Sequence, residues 1–140
     1  MKTNIYKKLV RQYYEELWNK KSKAMIEELF TDDIEFHGSL NIDTKGKKEF
    51  ENYMDAILKG IPNLHHGIEI LLEENATIAV RAIYNGTHSG KLFDYEASNN
   101  RIKYNGASFF KFRDEKISNI WVLGDLATLH KQIASPKNSQ

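Results

Sequence analysis

An α+β domain with a mostly antiparallel sheet is predicted by three features of this sequence. Apolar residues recur at helical spacing in three segments before residue 60. Beyond residue 63 the spacing changes to period two. The period-two runs are long and joined by short polar turns, the pattern of hairpin-connected strands. At 140 residues the chain is read as one domain over 1–133 with a disordered tail over 134–140.

The first helix carries Ile5, Leu9, Val10, Tyr13, Tyr14, Leu17 and Trp18 on one stripe, with Lys7, Lys8, Arg11, Glu15 and Glu16 between them. It is expected to end near Asn19-Lys20-Lys21. Ser22 reads as the N-cap of a shorter helix bearing Met25, Ile26, Leu29 and Phe30. Thr31-Asp32-Asp33 should break that helix, and Ile34-Glu35-Phe36-His37 should form a short strand. Residues 39–46 read as a loop. A third helix over 46–59 buries Phe50, Tyr53, Met54, Ile57 and Leu58, and Gly60 and Pro62 stop it.

Four strands follow. Leu64, His66, Ile68, Ile70 and Leu72 share one parity in the first. Glu74-Asn75 turns the chain into the second, over 77–84 and on toward His88. Residues 89–100 read as loop. The third covers 102–112, and Arg113-Asp114-Glu115 turns into the last, over 116–124. The later strands are apolar on both parities: Ile120 and Val122 against Trp121 and Leu123, Phe109 against Phe110 and Phe112. Both sheet faces therefore need cover. Helices supply one, and a homodimer through the outer face of the sheet is expected to supply the other.

Composition excludes several classes. Net charge is +1, from 20 basic and 19 acidic residues, which gives no electrostatic case for nucleic acid or an anionic membrane. Cysteine is absent, so no disulfide, thiol nucleophile or cysteine metal site exists. His65 and His66 point to opposite faces of a strand and cannot share an ion, so no metal is expected. The N-terminus lacks the apolar core of a signal peptide and no stretch is long enough to span a membrane; a cytoplasmic location follows by default.

The last strand ends on an acid. Strict alternation puts Ile117, Asn119, Trp121, Leu123 and Asp125 on one face. Asp125 then either sits in an apolar cavity, where burial raises its pKa into a range useful for proton transfer, or caps the helix-like 126–130. Residue type alone favours the cap.

Several segments resemble one family. Tyr13-Tyr14-Glu15-Glu16-Leu17-Trp18-Asn19-Lys20, Asp33-Ile34-Glu35-Phe36-His37-Gly38, Gly46-Lys47-Lys48-Glu49-Phe50, Ile61-Pro62-Asn63-Leu64, Gly86-Thr87-His88-Ser89-Gly90, and the run over 110–117 with Trp121 and Asp125, are similar in order and spacing to SnoaL-like polyketide cyclases. These have the nuclear-transport-factor-2-like, cystatin-like fold. The resemblance covers about residues 6–133. It implies a curved sheet wrapped by the N-terminal helices into a cone with a central pocket. It also implies a small hydrophobic carbonyl ligand, and an aspartate at the place of Asp125 acting as acid/base in a cofactor-independent aldol ring closure of a polyketide or ester. The same resemblance allows a non-catalytic ligand-binding member, or an isomerase of the ketosteroid-isomerase type. It turns the choice for Asp125 to the pocket. A module with its cavity filled by side chains is the remaining reading.

A cyclase of this kind needs one base and hydrogen-bond donors for the enolate oxygen. Asp125 is the expected base. His37 and His88 end strands and are either rim donors or half-exposed histidines. Tyr14, Trp18, Trp121, Arg81, Tyr84 and Phe110 are the expected pocket residues. For Tyr14 and Trp18 the competing role is core packing, and for Arg81 an edge position reaching solvent.

Overall fold

The computed structural model describes residues 2–134; of the expected tail over 134–140, Ala134 is the last residue of a helix and 135–140 lie outside the described residues. The elements, in chain order, are α1 (Lys2–Gln12), a π-helical segment (Tyr13–Asn19), α2 (Ala24–Leu29), β1 (Phe30–His37), β2 (Asp43–Lys45), α3 (Lys47–Gly60), β3 (His65–Glu74), β4 (Thr77–Thr87), β5 (Arg101–Arg113), β6 (Lys116–Gly124) and α4 (Leu126–Ala134). The strands form one sheet in the order β2-β1-β6-β5-β4-β3. Pairing is antiparallel except between β1 and β6. This is the α+β arrangement expected from the change of period.

The two tight hairpins explain the antiparallel half. Asn75 and Ala76, and then Asp114 and Glu115, all have φ between 52° and 61°. Two successive left-handed residues make the two-residue turn whose twist matches that of the strands it joins. The helices cover one face of the sheet. Phe50 of α3 is fully buried there against the rings of Tyr13, Trp18, Phe30 and Phe36. Each such side chain contributes about 1.5–3 kcal/mol through burial.

The structure departs from the sequence reading in four places. The first helix is not uniform: from Tyr13 it widens to π-helical spacing, which turns Tyr13, Tyr14, Leu17 and Trp18 inward together. Ser22 does not cap α2 through its side chain; its carbonyl accepts the Met25 N–H. Thr31-Asp32-Asp33 is not a break but part of β1. Its outward carboxylates are held by cations, Asp32 by Lys47 at 3.0 Å and Asp33 by Arg113, which keeps the Asp33 carboxyl below the usual carboxylate range. The loop before α3 contains β2, which pairs with β1 from Glu35–Lys45 to His37–Asp43.

No helix covers the other face of the sheet among the described residues. Leu72, Ala79, Phe109 and Trp121 form one row across it by register, and Ile70, Arg81, Ala107 and Leu123 the next. Leu123 is 60% exposed and Trp121 42%.

Candidate functional site

Between the helices and the inner face of β3–β6 lies a small hollow. Tyr14, Trp18, Tyr53, His66, Tyr84, Tyr104, Ser108 and Val122 contribute to its wall. A water-sized sphere can place its centre in about 20 Å³ of it, room for roughly one or two waters. Two glycines let the wall close. A Cβ on Gly106 would lie 2.5 Å from the Tyr84 hydroxyl, and one on Gly38 would overlap the Tyr53 ring.

The π-helical segment delivers Tyr14 and Trp18 to this wall, and its last residue fastens it. The Asn19 amide donates to the His66 carbonyl at 2.9 Å and accepts the His66 N–H at 2.7 Å, pairing with β3 as a strand would. Lys21 donates to the Leu64 carbonyl at 3.3 Å on the same edge. His66 is thereby held against Tyr84, Trp18 and Tyr14, with ring centroids at 4.7, 5.0 and 5.6 Å. Burial, reinforced by the nearby His65 and Lys21, lowers its pKa to about 3, so the ring is neutral at pH 7. Burial also pushes the Tyr14, Tyr84 and Tyr104 hydroxyls up, so all three keep their protons.

Four buried polar atoms of this wall make no well-aligned hydrogen bond, Tyr14 Oη, Trp18 Nε1, His66 Nδ1 and Ser108 Oγ, although Ser108 lies beside the Tyr14 and Tyr84 hydroxyls and Trp18 beside that of Tyr13. Leaving such an atom unpaired costs about 1–3 kcal/mol, and four in one place form a polar site inside an aromatic cage. No carboxylate lines it.

The expected site residues divide. Tyr14, Trp18 and Tyr84 line the hollow. Phe110 is fully buried beside it, against Tyr13 and Tyr14. Asp125, Trp121 and Arg81 do not face it; all three are exposed on the uncovered side of the sheet. The reason is a bulge. Lys111 pairs with Asn119 but Phe112 with Ile117, so Ser118 is an extra residue in β6. Parity flips there. Ile117, Ile120 and Val122 turn inward, while Trp121 and Leu123 turn outward. The β6 side chain that lines the hollow is Val122. Asp125 caps α4: it accepts the Thr128 N–H at 3.2 Å and the Thr128 hydroxyl at 2.6 Å, and these bonds hold its carboxyl below the usual range.

The two other histidines also lie apart from the hollow. His37 is half-buried at the β1–β2 edge, with Nδ1 2.6 Å from Asp43 Oδ1 and its ring parallel to Trp121. His88 is fully buried under the β4–β5 connection. Its Nδ1 accepts the Ser98 N–H at 3.2 Å and lies 2.8 Å from the Ser98 hydroxyl, and burial lowers its pKa. Residues missed by the sequence reading are His66, Tyr53, Tyr104 and Ser108. Parity was the available signal: His66 shares the apolar side of β3 with Leu64, and Tyr104 and Ser108 share that of β5 with Phe110. Among the described residues no three His, Asp or Glu side chains converge as metal ligands, and no helix is long and apolar enough to cross a membrane.

The sequence matches the family model of the SnoaL-like polyketide cyclases over residues 8–133. The chain belongs to that family. Among solved structures, this SnoaL-like chain is similar to one described as a SnoaL-like polyketide cyclase from Jannaschia sp. CCS1, with TM-score 0.88, 17% identity, and 95% and 94% of the two chains covered. It is similar to IdmH of Streptomyces antibioticus, described as a polyketide cyclase, with TM-score 0.80, 15% identity and 93% and 99% coverage. AclR of Streptomyces galilaeus, described as a hydroxylase, gives TM-score 0.80, 19% identity and 92% and 80% coverage. At these identities the likeness establishes the SnoaL-like fold, and the fold alone does not assign a reaction. No curated protein matches the chain.

Proposed function

We propose that this SnoaL-like chain binds a small uncharged molecule in the inner hollow, one with an apolar body and a carbonyl or hydroxyl oxygen. The observation that carries this reading is the convergence of four buried polar atoms without a well-aligned hydrogen bond, Tyr14 Oη, Trp18 Nε1, His66 Nδ1 and Ser108 Oγ, of which His66 Nδ1 has no hydrogen-bonding neighbour at all among the described residues. Trp18 and Tyr14 offer donors to an acceptor oxygen, and the rings around them suit a planar apolar body. No charged group lines the hollow to pair with a ligand charge. The room now present fits water, so the bound state is an opened one that ligand selects. Ring closure by Asp125 is not part of the reading, because that carboxylate is outside and engaged as a helix cap.

The chain has two tryptophans, so Trp121→Phe leaves Trp18 as the sole reporter. Titration of that variant with 1-indanone should quench its fluorescence, with indane and indane-1-carboxylate binding at least about tenfold more weakly. Asp125→Asn should leave the titration unchanged. Equal binding of indane, or no response to any of the three, would remove the proposal.

The uncovered face suits a second copy of the chain. Ile70, Leu72, Phe109 and Leu123 are all more than 40% exposed on a two-row apolar surface of the kind that marks an interface. Sedimentation should therefore show a homodimer, and Leu72→Asp with Leu123→Asp should give a folded monomer; a monomeric parent would end this reading.

A further inference from the structure

A hollow with room for water must open to take anything larger, and one corner of its wall is built to let it. Ser39 is the single lining residue that is not buried. The hollow therefore comes nearest to solvent under the turn that joins β1 to β2. We propose that this turn, residues 38–42, is the gate of the hollow, and that the Tyr53 hydroxyl is its latch. What passes through the gate rests on the reading of the hollow as a ligand site; the gate itself does not.

Three observations carry it. The turn is closed by its own bonds: Gly38 N–H donates to the Ile42 carbonyl and Asn41 N–H to the Gly38 carbonyl, both at 2.9 Å, with Asn41 in the left-handed region at φ 64°. It can swing as one piece. The tie that holds it down is weak. Leu40 N–H donates to Tyr53 Oη of α3 at 3.4 Å, and the Ser39 side chain lies beside the Tyr53 and Tyr104 hydroxyls. A segment held by so few bonds opens at a small fraction of the cost of global unfolding. The closed position is also shaped for contact on two sides. Gly38 rests against the Tyr53 ring where any Cβ would overlap it, and a Cβ built on Gly124, the last residue of β6, would lie 3.0 Å from that of Ser39. Tyr53 and Tyr104 both line the hollow. Lifting the turn frees the Tyr53 hydroxyl from Leu40 and Ser39, so the group that latches the closed gate becomes a donor to an incoming oxygen at the mouth.

The chain has no cysteine, so Ser39→Cys with Gly124→Cys can form only one disulfide within it. Their separation is just under the roughly 3.5–4.5 Å between disulfide Cβ atoms, so the bond holds the turn close to its shut position. In the Trp121→Phe chain the indole N–H of Trp18 gives the sole indole proton signal, and its exchange with deuterium oxide reports opening of the hollow without any ligand. Oxidation of the double-cysteine variant should slow that exchange at least about tenfold, and dithiothreitol should restore it. Tyr53→Phe keeps the ring and removes the latch, and should speed exchange about fivefold, the effect of one lost hydrogen bond. Neither rate should respond to low denaturant, the mark of a local opening. With 1-indanone, on- and off-rates should fall together in the oxidised chain. Equal indole exchange in the oxidised and reduced chains, or exchange that requires global unfolding, overturns the gate whatever the ketone does. Slower exchange on oxidation in a chain that never responds to 1-indanone upholds the gate and removes the ligand reading alone.

Discussion

Acidification from pH 7 to pH 4 should destabilise this protein by several kcal/mol, and His66→Phe should remove most of that loss. The cause is a proton that the folded chain cannot accept. His66 is 8% exposed, ringed by Tyr14, Trp18 and Tyr84, and burial lowers its pKa from 6.5 to about 3. Above pH 6.5 the ring is neutral in both states and stability is whole. Between 6.5 and about 3 the unfolded chain binds a proton and the folded chain does not, so stability falls as pH falls. At about 1.4 kcal/mol per unit, the full loss at the lower end is on the order of 4–5 kcal/mol. His88, buried with a lowered pKa, pulls in the same direction. So do Asp33 and Asp125, whose lowered pKa values make their contribution vanish as they are protonated. Denaturant midpoints at pH 7.5, 5.5 and 4 measure the effect. Phenylalanine keeps the ring contacts and has nothing to protonate, so the His66→Phe midpoint should be much flatter. Parallel pH slopes for the two proteins would show that His66 is not the group responsible.

The same residue shows what could be read from sequence. Alternation in 64–72 put His66 on one side with Leu64, Ile68, Ile70 and Leu72; the structure keeps His66 inside, while a bulge between Ile68 and Ile70 turns Ile70 and Leu72 to the other face. What alternation could not supply was the partner surface. The hollow is assembled from two helical segments and five strands, β1, β3, β4, β5 and β6, and no local pattern records that meeting. The helices, the four long strands and the α+β class were legible because each depends on periodicity within one segment. Asp125 was misplaced for a related reason. Its face was inferred by counting in twos from Ile117, and one bulged residue, Ser118, reverses the count. Nothing in Lys116-Ile117-Ser118-Asn119 announces a bulge, because the mismatch lies in how β5 and β6 are paired. The cap, which residue type alone favoured, depends on a three-residue span and was readable. β2 was hidden because three residues give too short a period to detect.

Gly106→Ala should destabilise the protein by about 1–3 kcal/mol, the cost of overpacking a filled site, and the sign should reverse once Tyr84 is gone. Alanine in place of glycine within a strand ordinarily gains about 0.5–1 kcal/mol, because it leaves the unfolded chain less freedom. Here the new Cβ would lie 2.5 Å from both Cε2 and Oη of Tyr84. That ring cannot swing aside at low cost. It is 4% exposed and wedged between His66 at 4.7 Å and Tyr104 at 5.0 Å. Tyr84→Ala alone should cost about 3–5 kcal/mol, as for other large buried aromatics. In that background the methyl group enters the space the ring left, and Gly106→Ala should become neutral or stabilising. The double-mutant cycle should thus give a coupling of at least about 1.5 kcal/mol, beyond the error of additivity for independent sites. A Gly106→Ala that costs the same with and without Tyr84 would mean the strain lies in the backbone. The cycle also bears on the hollow. Tyr84→Ala widens it, so 1-indanone should bind the Trp121→Phe/Tyr84→Ala chain with less opening to overcome, while Gly106→Ala, by forcing the ring inward, should weaken the same titration.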